Sequence, residues 1–523
     1  MNFASFCSIN AEKYPDKVFL VERRPSQNLR RTCTWKEFND ETNKVANYLK
    51  KKLGVKKGDM VLHLQMNSIE WIITYYAVLK LGAGIVPLNF RFASADIKYA
   101  ADATEPVAFI FGDGFLPKIL PVKDELKTIK HYICMGENIP EGMISYDEIT
   151  KSDDIEEALV EDVDDDDVAE LMFTSGTTGP PKPVCQSHGV LRNIAVCNAL
   201  SYDCGHNSTY LAPHPFYHSG SLFLSFPCYV AGGTIIIQID LKDPKWLLDA
   251  IAEEKVTHGW VAVPTMSDSV EAIKRGDIDI SKYDFSHVKG EILIGAQPVP
   301  FSLFEDMKRL LSFKTGNIYG ITEGGGGGTH ILYDEDVLKK PGSIGKATAM
   351  LRSRVVDDNG NDVAPNEVGE LIFKGPRLMK EYYKNPEATA NTIKNGWLYT
   401  GDLVRIDEEG YLYIADRKKD LIIRGGENIF PVEIEDVLHK HPKIDDVAVI
   451  GYPHERLVEI AMAVVQLKPG ETMTEQEVID FCKEAGLAKY KWPEKVVFDQ
   501  VPRNPTGKLQ KTILREKYIG KKK

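Results

Sequence analysis

The residues best suited to chemistry include a run of hydroxyl and glycine residues that follows the apolar residues 171–173. The run consists of Thr174, Ser175, Gly176, Thr177, Thr178, Gly179, Pro180, Pro181 and Lys182. Glycines let a backbone approach an anion closely, and successive amides in a turn can form an anion-binding nest. The spacing differs from that of a Walker A loop. The run therefore predicts a phosphate-binding loop, with an ordinary surface turn as the alternative.

Three further segments place aromatic, hydroxyl or charged side chains at turns. YGITE (319–323) precedes five glycines (324–328), YTGD ends at Asp402, and RNPTGK ends at Lys508. A tyrosine ring can stack on a base, a threonine can bond a phosphate oxygen, and a carboxylate can hold Mg²⁺. An aspartate at a turn can accept both hydroxyls of a ribose. Taken singly, each segment is also compatible with a strand end, an Asx turn or a surface lysine.

The elements that must position these residues predict an α/β fold. Apolar, strand-like runs lie at 107–111, 234–239, 291–294 and 371–373, and they alternate with helical patterns at 34–51, 244–252 and 300–311. Such alternation is typical of largely parallel sheets. Residues 152–167 are strongly acidic and predict a solvated connector.

A second unit is predicted near the C-terminus. Strand-like residues 411–415 lead into the charged cluster 416–420 and then into the pair Gly425-Gly426. The residues after this pair have a βαβ pattern of their own, with helical patterns at 431–439 and 474–485 and an apolar run at 447–450. They are numerous enough to form a small separate domain.

Length, charge and cysteine content bound the function. A chain of 523 residues predicts more than one folding unit. Its net charge of −12 argues against nucleic acid as the main partner, but a nucleotide needs only a few donors. The eight cysteines form no CxxC pair and suit reduced thiols in the cytosol. Residues 1–13 lack the layout of a secretory signal, and the apolar stretches 71–88 and 222–239 favour buried helix-to-strand passages over membrane spans.

The motifs taken together resemble a known family. TSGTTGxPK, YGxTE, TGD, DRxKD and PxxxTGK follow one another in the order found in the adenylate-forming superfamily, which contains acyl-CoA synthetases, peptide-synthetase adenylation domains and luciferases. The resemblance spans residues 6–511. It implies a large N-terminal domain of stacked α/β subdomains, with partly parallel sheets and a β-rich subdomain, and a small mobile α+β C-terminal domain. We expect these domains at 1–417 and 418–523.

The resemblance also implies a binding site for ATP. Residues 174–179, together with Lys182, would hold the β- and γ-phosphates, and Gly295, Ala296 and Gln297 would lie against adenine. Tyr319 would stack on the base, Thr322 would contact the α-phosphate, and Glu323 would coordinate Mg²⁺. Asp402 would hold the ribose, with Arg417 beside it.

Two half-reactions are implied, with coenzyme A as the second substrate. Lys508 would bring positive charge to the point where a carboxylate attacks the α-phosphate, because that attack joins two anions. The small domain would then rotate about Lys419, so that Arg424, Gly425 and Gly426 line a tunnel for the pantetheine arm. The chain is thus expected to be a ligase that makes an acyl-adenylate and then an acyl-CoA. No general base is obvious.

The acid pocket is expected to admit something bulkier than acetate. Acetyl-CoA synthetases have tryptophan where this chain has Gly320, and no aspartate for a substrate amine stands near 217–220. The expected lining consists of Phe216, His218, Trp260, Val261, Gly320 and Gly324, with His218 beside the reacting acyl group. These residues suit a medium-chain, aromatic or alicyclic acid.

The effects of two departures from the family's sequence pattern, and several alternative functions, are not decided by the sequence. Pro183 stands where the family usually has glycine and removes an N–H, which leaves the path of the loop at Lys182 open. The glycine run 324–328 either widens the acyl pocket or leaves it loosely packed.

A ligase that loads a carrier protein is the nearest alternative to an acyl-CoA ligase, followed by a luciferase-type oxygenase and a silent nucleotide sensor. The sequence is compatible with a dimer.

Overall fold

The computed structural model describes residues 1–174, 181–297, 299–425, 427–503 and 509–520, and for residues 327–329 it describes the backbone alone. The α-helices in these ranges are α1 (Phe6–Lys13), α2 (Trp35–Lys51), α3 (Ile69–Lys80), α4 (Ser94–Thr104), α5 (Leu116–Ile119), α6 (Tyr146–Thr150), α7 (His188–Tyr202), α8 (Ser219–Ala231), α9 (Lys245–Glu253), α10 (Val263–Arg275), α11 (Phe301–Leu310), α12 (Asp334–Val337), α13 (Pro386–Thr392), α14 (Pro431–Leu438), α15 (Glu475–Glu484) and α16 (Lys511–Tyr518). Short 3-10 helices lie at Phe3–Ser5, Pro25–Gln27, Asp113–Phe115, Leu120–Glu125, Ile280–Lys282, Thr322–Gly324 and Lys489–Lys491.

The strands in the same ranges alternate with these helices along the chain. They are β1 (Val18–Arg24), β2 (Leu29–Thr34), β3 (Met60–Leu64), β4 (Gly84–Pro87), β5 (Ala108–Gly112), β6 (His131–Met135), β7 (Ile144–Ser145), β8 (Val168–Thr174), β9 (Lys182–Ser187), β10 (Thr209–Ala212), β11 (Thr234–Ile237), β12 (His258–Ala262), β13 (Ile292–Gly295), β14 (Thr315–Ile321), β15 (Gly326–Leu332), β16 (Ser343–Ala347), β17 (Arg352–Val356), β18 (Val368–Lys374), β19 (Glu381–Tyr382), β20 (Ile393–Lys394), β21 (Trp397–Ile406), β22 (Leu412–Arg417), β23 (Ile422–Arg424), β24 (Glu427–Ile429), β25 (Ile444–His454), β26 (Val458–Leu467) and β27 (Lys495–Phe498).

Two large sheets form the N-terminal part. One has the order β19-β9-β8-β4-β3-β5-β6-β7 and is parallel apart from the antiparallel pairs β8/β9 and β9/β19. The other begins with the antiparallel pair β2/β1, runs through the parallel strands β1-β11-β10-β12-β13-β14 and continues through antiparallel strands to β17. The predicted α/β fold with partly parallel sheets is confirmed. The β-rich part extends the second sheet along one continuous hydrogen-bonded path.

A small C-terminal domain has its own sheet and core. Strands β24-β23-β26-β25 form the sheet, and β27 joins β26 in parallel, as the predicted βαβ pattern requires. Helices α14 and α15 cover it through a core that includes Ile434, Val447, Ala461 and Val478. A separate core indicates a folding unit of its own.

Helix boundaries follow their capping chemistry. Helix α2 begins after Thr34, whose side chain accepts from the amide of Glu37 while Glu37 bonds back to the Thr34 amide, and α15 begins in the same way after Thr474. Such reciprocal capping boxes satisfy amides that have no partner within the helix. The predicted helices at 34–51 and 474–485 are therefore confirmed to within one residue.

The acidic segment 152–167 is an irregular connection, as predicted, but it is anchored. Ala158 and Val163 are buried, and Glu157 accepts from the fully buried ammonium of Lys80 at 2.8 Å.

In the described residues we find no helix with the length and apolar character that crossing a bilayer requires.

Candidate active site

Asp402 forms the centre of a buried cluster at the junction of three strands. It lies opposite Arg417 in the β21/β22 register, and Tyr319 lies on β14. The Tyr319 hydroxyl donates to Asp402 Oδ2 at 2.5 Å, and Arg417 Nε lies 3.0 Å from Asp402 Oδ1. Burial and the Asp402 charge raise the pKa of Tyr319, and the Asp402 charge raises the pKa of Arg417. The tyrosine is therefore neutral and the guanidinium charged, and three residues predicted for adenosine are brought together.

The backbone at the end of β13 packs closely against β14. A Cβ on Gly295 would lie 2.6 Å from the carbonyl oxygen of Ile318, so a larger residue would push the parallel strands β13 and β14 apart. Ala296 has a φ of 76°, a strained left-handed conformation for a residue with a side chain. Gln297 follows, and its side-chain oxygen accepts from Arg503 Nη1 at 3.0 Å. Pro298, the next residue of this block, lies outside the described residues.

Thr322 and Glu323 start a 3-10 turn directly after β14. The Thr322 hydroxyl lies 3.2 Å from that of Ser219, the first residue of α8, and the Thr322 carbonyl accepts from Gln186 Nε2 at 3.0 Å. Gln186 is fully buried. The predicted phosphate-contacting threonine is thus fixed on two sides by residues that the sequence did not assign to the site.

Glu323 and Lys182 both contact the side chain of Tyr382. The Tyr382 hydroxyl donates to Glu323 Oε1 at 2.7 Å, and Lys182 Nζ lies 4.8 Å from the centroid of the Tyr382 ring. Burial, and after it the Glu323 charge, raises the pKa of Tyr382, so its hydroxyl is protonated and donates. Tyr382 lies 59 positions from Glu323, and no local pattern marks it.

The run after β8 connects two antiparallel strands. Thr174 pairs with Lys182, and Phe173 pairs with Pro183, in the β8/β9 register. Pro183 is accommodated in β9, where its carbonyl accepts from the amide of Tyr383. Ser175, Gly176, Thr177, Thr178 and Gly179 lie outside the described residues, as do Gly426 and Lys508, so the predictions for them stay predictions.

Two aromatic rings stack at the predicted acyl pocket. The His218 ring lies parallel to Trp260, with centroids 5.9 Å apart, and His218 Nδ1 accepts from the Gly220 amide to cap α8. His214 meets Trp260 edge-on at 4.9 Å. Burial lowers the pKa of His214 to about 3, so the ring is neutral, and its Nε2 accepts from the Ala262 amide.

The other predicted pocket residues are placed differently. Phe216 is fully buried against Trp71 in the core between the sheets, whereas Val261 lies in a second core with Leu211 and Ile294. Because side chains alternate along a strand, Val261 and Trp260 point to opposite faces of β12. The structure therefore does not bring Val261 to the side of the sheet where Trp260 and His218 lie.

Two glycines of the run after Glu323 are closely packed. Gly320 is exposed and Gly324 is buried. Gly325 and Gly326 have φ values of 87° and 81°, and a Cβ would lie 2.6 Å from the Arg377 carbonyl at the first and 2.7 Å from Phe223 at the second. The loosely packed alternative is therefore wrong for these two glycines, since they are required by a left-handed backbone and by close neighbours.

The predicted hinge lies between two acidic residues that accept hydrogen bonds from helices α14 and α16. Lys419 follows Asp416, which accepts from the Val432 amide at 3.1 Å, and precedes Asp420, which accepts from Arg515 at 2.7 Å. Burial, opposed by the charge of Lys511, raises the pKa of Asp416 to about 6.

Of the residues predicted to contact coenzyme A, Arg424 is the last residue of β23 in the C-terminal sheet, and Gly425 lies in the turn that follows. Arg424 Nε pairs with Glu494 at 2.7 Å, and Gly425 has a φ of 58°.

Comparisons with known proteins agree over almost the whole chain. The family model described as AMP-binding enzyme matches residues 7–383, and the one described as AMP-binding enzyme C-terminal domain matches residues 433–508. The long-chain-fatty-acid–CoA ligase FadD13 of Mycobacterium tuberculosis is 36% identical over 499 residues, which is 94% of each chain.

Solved structures share the fold. The anthranilate CoA ligase AuaEII in complex with anthranoyl-AMP superimposes with a TM-score of 0.88 at 26% identity, covering 99% of this chain and 97% of that one. The O-succinylbenzoate coenzyme A synthetase of Bacillus subtilis in complex with ATP and magnesium ion gives a TM-score of 0.84 at 29% identity, covering 98% and 99%.

Proposed function

This chain belongs to the family of AMP-binding enzymes, and we propose that its substrate is a carboxylic acid bulkier than acetate. It is an ATP-dependent acyl-CoA ligase. The acid and ATP give acyl-AMP and pyrophosphate, and acyl-AMP then reacts with coenzyme A to give acyl-CoA and AMP. In the first step the carboxylate oxygen displaces pyrophosphate from the α-phosphorus, and in the second the thiol sulfur displaces AMP from the acyl carbon and the thiol proton passes to solvent.

The observation that supports a nucleotide site best is the position of Asp402 relative to Thr322. Asp402 accepts a hydrogen bond from Tyr319, and Tyr319 lies three residues before Thr322 in the sequence. A ribose held at Asp402 would thus place its 5′-phosphate toward the turn that carries Thr322 and Glu323. The exposed oxygens of a phosphate suit the hydroxyl of Thr322 and the ammonium of Lys182.

A metal ion fits the donor set at Glu323. The described residues contain no group of three ligand side chains that could hold a metal. One carboxylate matches Mg²⁺, which usually keeps several waters and binds nucleotide phosphates beside one or two carboxylates. When bound, Mg²⁺ would neutralise phosphate charge and thereby ease attack by a carboxylate.

Lys508 is the proposed adenylation residue, and Lys419 the proposed hinge between domains 1–417 and 418–523. A lysine carries a compact charge on a long stem, which suits delivery of a cation from one domain into the site of another. Rotation about Lys419 would withdraw that cation and bring Arg424 and Gly425 to the acyl-adenylate. The separate core of the C-terminal domain supports such a movement.

The proposed acid pocket lies beside the stacked pair His218 and Trp260. Gly320 is exposed shortly before the turn that carries Glu323, and Gly324 is the last residue of that turn. An apolar aromatic wall suits a fatty, aromatic or alicyclic acyl group. The relatives named above act, by their descriptions, on a long-chain fatty acid, anthranilate and O-succinylbenzoate, all bulkier than acetate.

The cytoplasm is the proposed compartment, because all eight cysteines are free and buried, as expected under reducing conditions. The acidic net charge of −12 supports small-molecule partners without nucleic acid. A homodimer is compatible with these features.

A screen of pyrophosphate release tests the proposal. Short, medium, long, aromatic and alicyclic acids are each offered with ATP, Mg²⁺ and coenzyme A, and the thioester is identified by mass spectrometry. We expect turnover with an acid bulkier than acetate. Preference for acetate, or transfer to an acyl-carrier protein without transfer to free coenzyme A, would contradict it. Absence of ATP–pyrophosphate exchange with every acid would favour a nucleotide sensor.

A further inference from the structure

Tyr382 joins the two charged groups that the proposed function places against the phosphates. Its hydroxyl donates to Glu323 Oε1 at 2.7 Å. Lys182 Nζ lies over the face of its ring, 4.8 Å from the centroid. Tyr382 is only 6% exposed, so its hydroxyl and ring face little bulk water. A single buried side chain thus contacts a candidate metal ligand through one end and a candidate phosphate ligand through its face.

The backbone around Tyr382 is fixed as firmly as its side chain. The Tyr382 amide donates to Thr389 Oγ1 at 3.0 Å, and β19 pairs with β9 so that Tyr382 lies opposite Val184. The Met379 amide donates to the Glu323 carbonyl at 2.8 Å. Residues 379–383 therefore connect the turn that carries Glu323 to the strand that carries Lys182.

From this geometry we propose that Tyr382 is a positioning residue that orients the Glu323 carboxylate toward the metal of ATP and holds the Lys182 ammonium beside it. The inference rests on the proposed function, since it requires Glu323 to bind the metal. A hydroxyl bound to one carboxylate oxygen restricts rotation of the group and directs the other oxygen to a fixed point. Groups that orient metal ligands in this way commonly change metal affinity 10- to 100-fold when they are removed.

The two contacts can be separated by two substitutions. Tyr382→Phe removes the hydroxyl but keeps the ring under Lys182, and Tyr382→Leu removes both. Tyr383→Phe is the matched control, because the neighbouring tyrosine loses the same atom from a half-buried position. Circular dichroism and thermal unfolding of each variant without ligand show whether the fold is retained.

The measurement is ATP binding by calorimetry without any acid, so that no reaction occurs. The ratio of the ATP dissociation constant in EDTA to that in excess Mg²⁺ reports how strongly the bound metal assists ATP. We expect Tyr382→Phe to lower this ratio by about 10- to 100-fold while the dissociation constant in EDTA stays unchanged. Tyr382→Leu should also weaken ATP in EDTA by about two- to fivefold, the size of a partly exposed cation–π contact.

Glu323→Gln distinguishes the two levels of the proposal. If it lowers the ratio and Tyr382→Phe does not, the positioning role is wrong while the metal assignment stands. If Glu323→Gln leaves the ratio unchanged, Glu323 is not the metal ligand and both assignments are wrong. The double variant should be no worse than Glu323→Gln alone, because the hydroxyl acts through the carboxylate; additive losses, or tighter metal binding in Tyr382→Phe, would overturn the inference.

Discussion

Arg503 Nη1 donates a hydrogen bond of 3.0 Å to the side-chain oxygen of Gln297, and this bond joins the C-terminal domain to the end of strand β13. Arg503 also forks onto Asp446 through Nε at 2.6 Å and Nη2 at 2.8 Å. Although burial opposes it, Arg503 lowers the pKa of Asp446 to about 2, so the pair stays charged at neutral pH. Arg503 thus presents a fixed donor to the segment proposed to lie against adenine.

Loss of this bond should weaken adenylation selectively. Gln297→Leu removes the acceptor but keeps the Arg503–Asp446 pair, so we expect adenylation to slow by about 3- to 10-fold, the equivalent of one hydrogen bond. Thioester formation from supplied acyl-adenylate should change little. ATP–pyrophosphate exchange and single-turnover thiolation measure the two steps. Equal losses in both would show that the contact does not favour one domain arrangement.

Removal of the proposed adenylation cation should separate the half-reactions more sharply. We expect Lys508→Ala to reduce acyl-adenylate formation by at least about 100-fold, since electrostatic stabilisation of this kind is worth several kcal/mol. Thiolation of supplied acyl-adenylate should persist. Lys483→Ala, at an exposed position on α15 of the same domain, is the control. An equal fall in both half-reactions would refute the assigned role.

Stiffening of the proposed hinge should spare only one half-reaction. Lys419→Pro fixes φ at the hinge, so the C-terminal domain should be held in one arrangement and the overall reaction should slow by more than about 10-fold, as expected for blocked domain closure. Lys419→Ala keeps the backbone freedom and serves as the control. Both half-reactions are measured separately. Full retention of both in the proline variant would count against rotation at this residue.

A bulky side chain at Gly320 should narrow the acid pocket. We expect Gly320→Trp to shift the preference in kcat/KM toward acetate or propionate by about 10-fold or more, because one or two methylenes are each worth 1–3 kcal/mol in an apolar pocket. Gly114→Trp, at an exposed position without a left-handed φ and with no neighbour within 4 Å of an added Cβ, gives a control for the added ring. An unchanged preference for chain length would show that Gly320 does not limit the pocket.

Stability should depend on pH through Glu291. Burial raises the pKa of Glu291 from 4.5 to about 7. Because the folded state holds the proton more tightly, the free energy of unfolding should fall as pH rises from about 4.5 to about 7 and then level off, by at most about 3 kcal/mol. Glu291→Gln should lack this fall and gain relative stability above pH 7. Thermal unfolding of both proteins at pH 5 and pH 8 checks the sign; parallel shifts would refute it.

The fold class followed from local patterns because those patterns act over a few residues. Capping at Thr34 and Thr474, strand periodicity and apolar helix faces are all properties of neighbouring positions, and the predicted elements agree with the structure to within a few residues. The sequence also determined the family, since five motifs follow one another in the family's order along the chain.

Only the tertiary structure decided which side chains support those motifs. Tyr382, Gln186 and Ser219 contact Glu323 or Thr322 from positions 59 to 136 residues away, and no local pattern encodes such pairs. By sequence, Trp260 and Val261 are assigned to the same acid pocket. Because side chains alternate along β12, the structure places them on opposite faces of the sheet. Local chemistry is determined by residue type and spacing, but contact between distant residues depends on how strands and helices pack, and that is set by the whole chain.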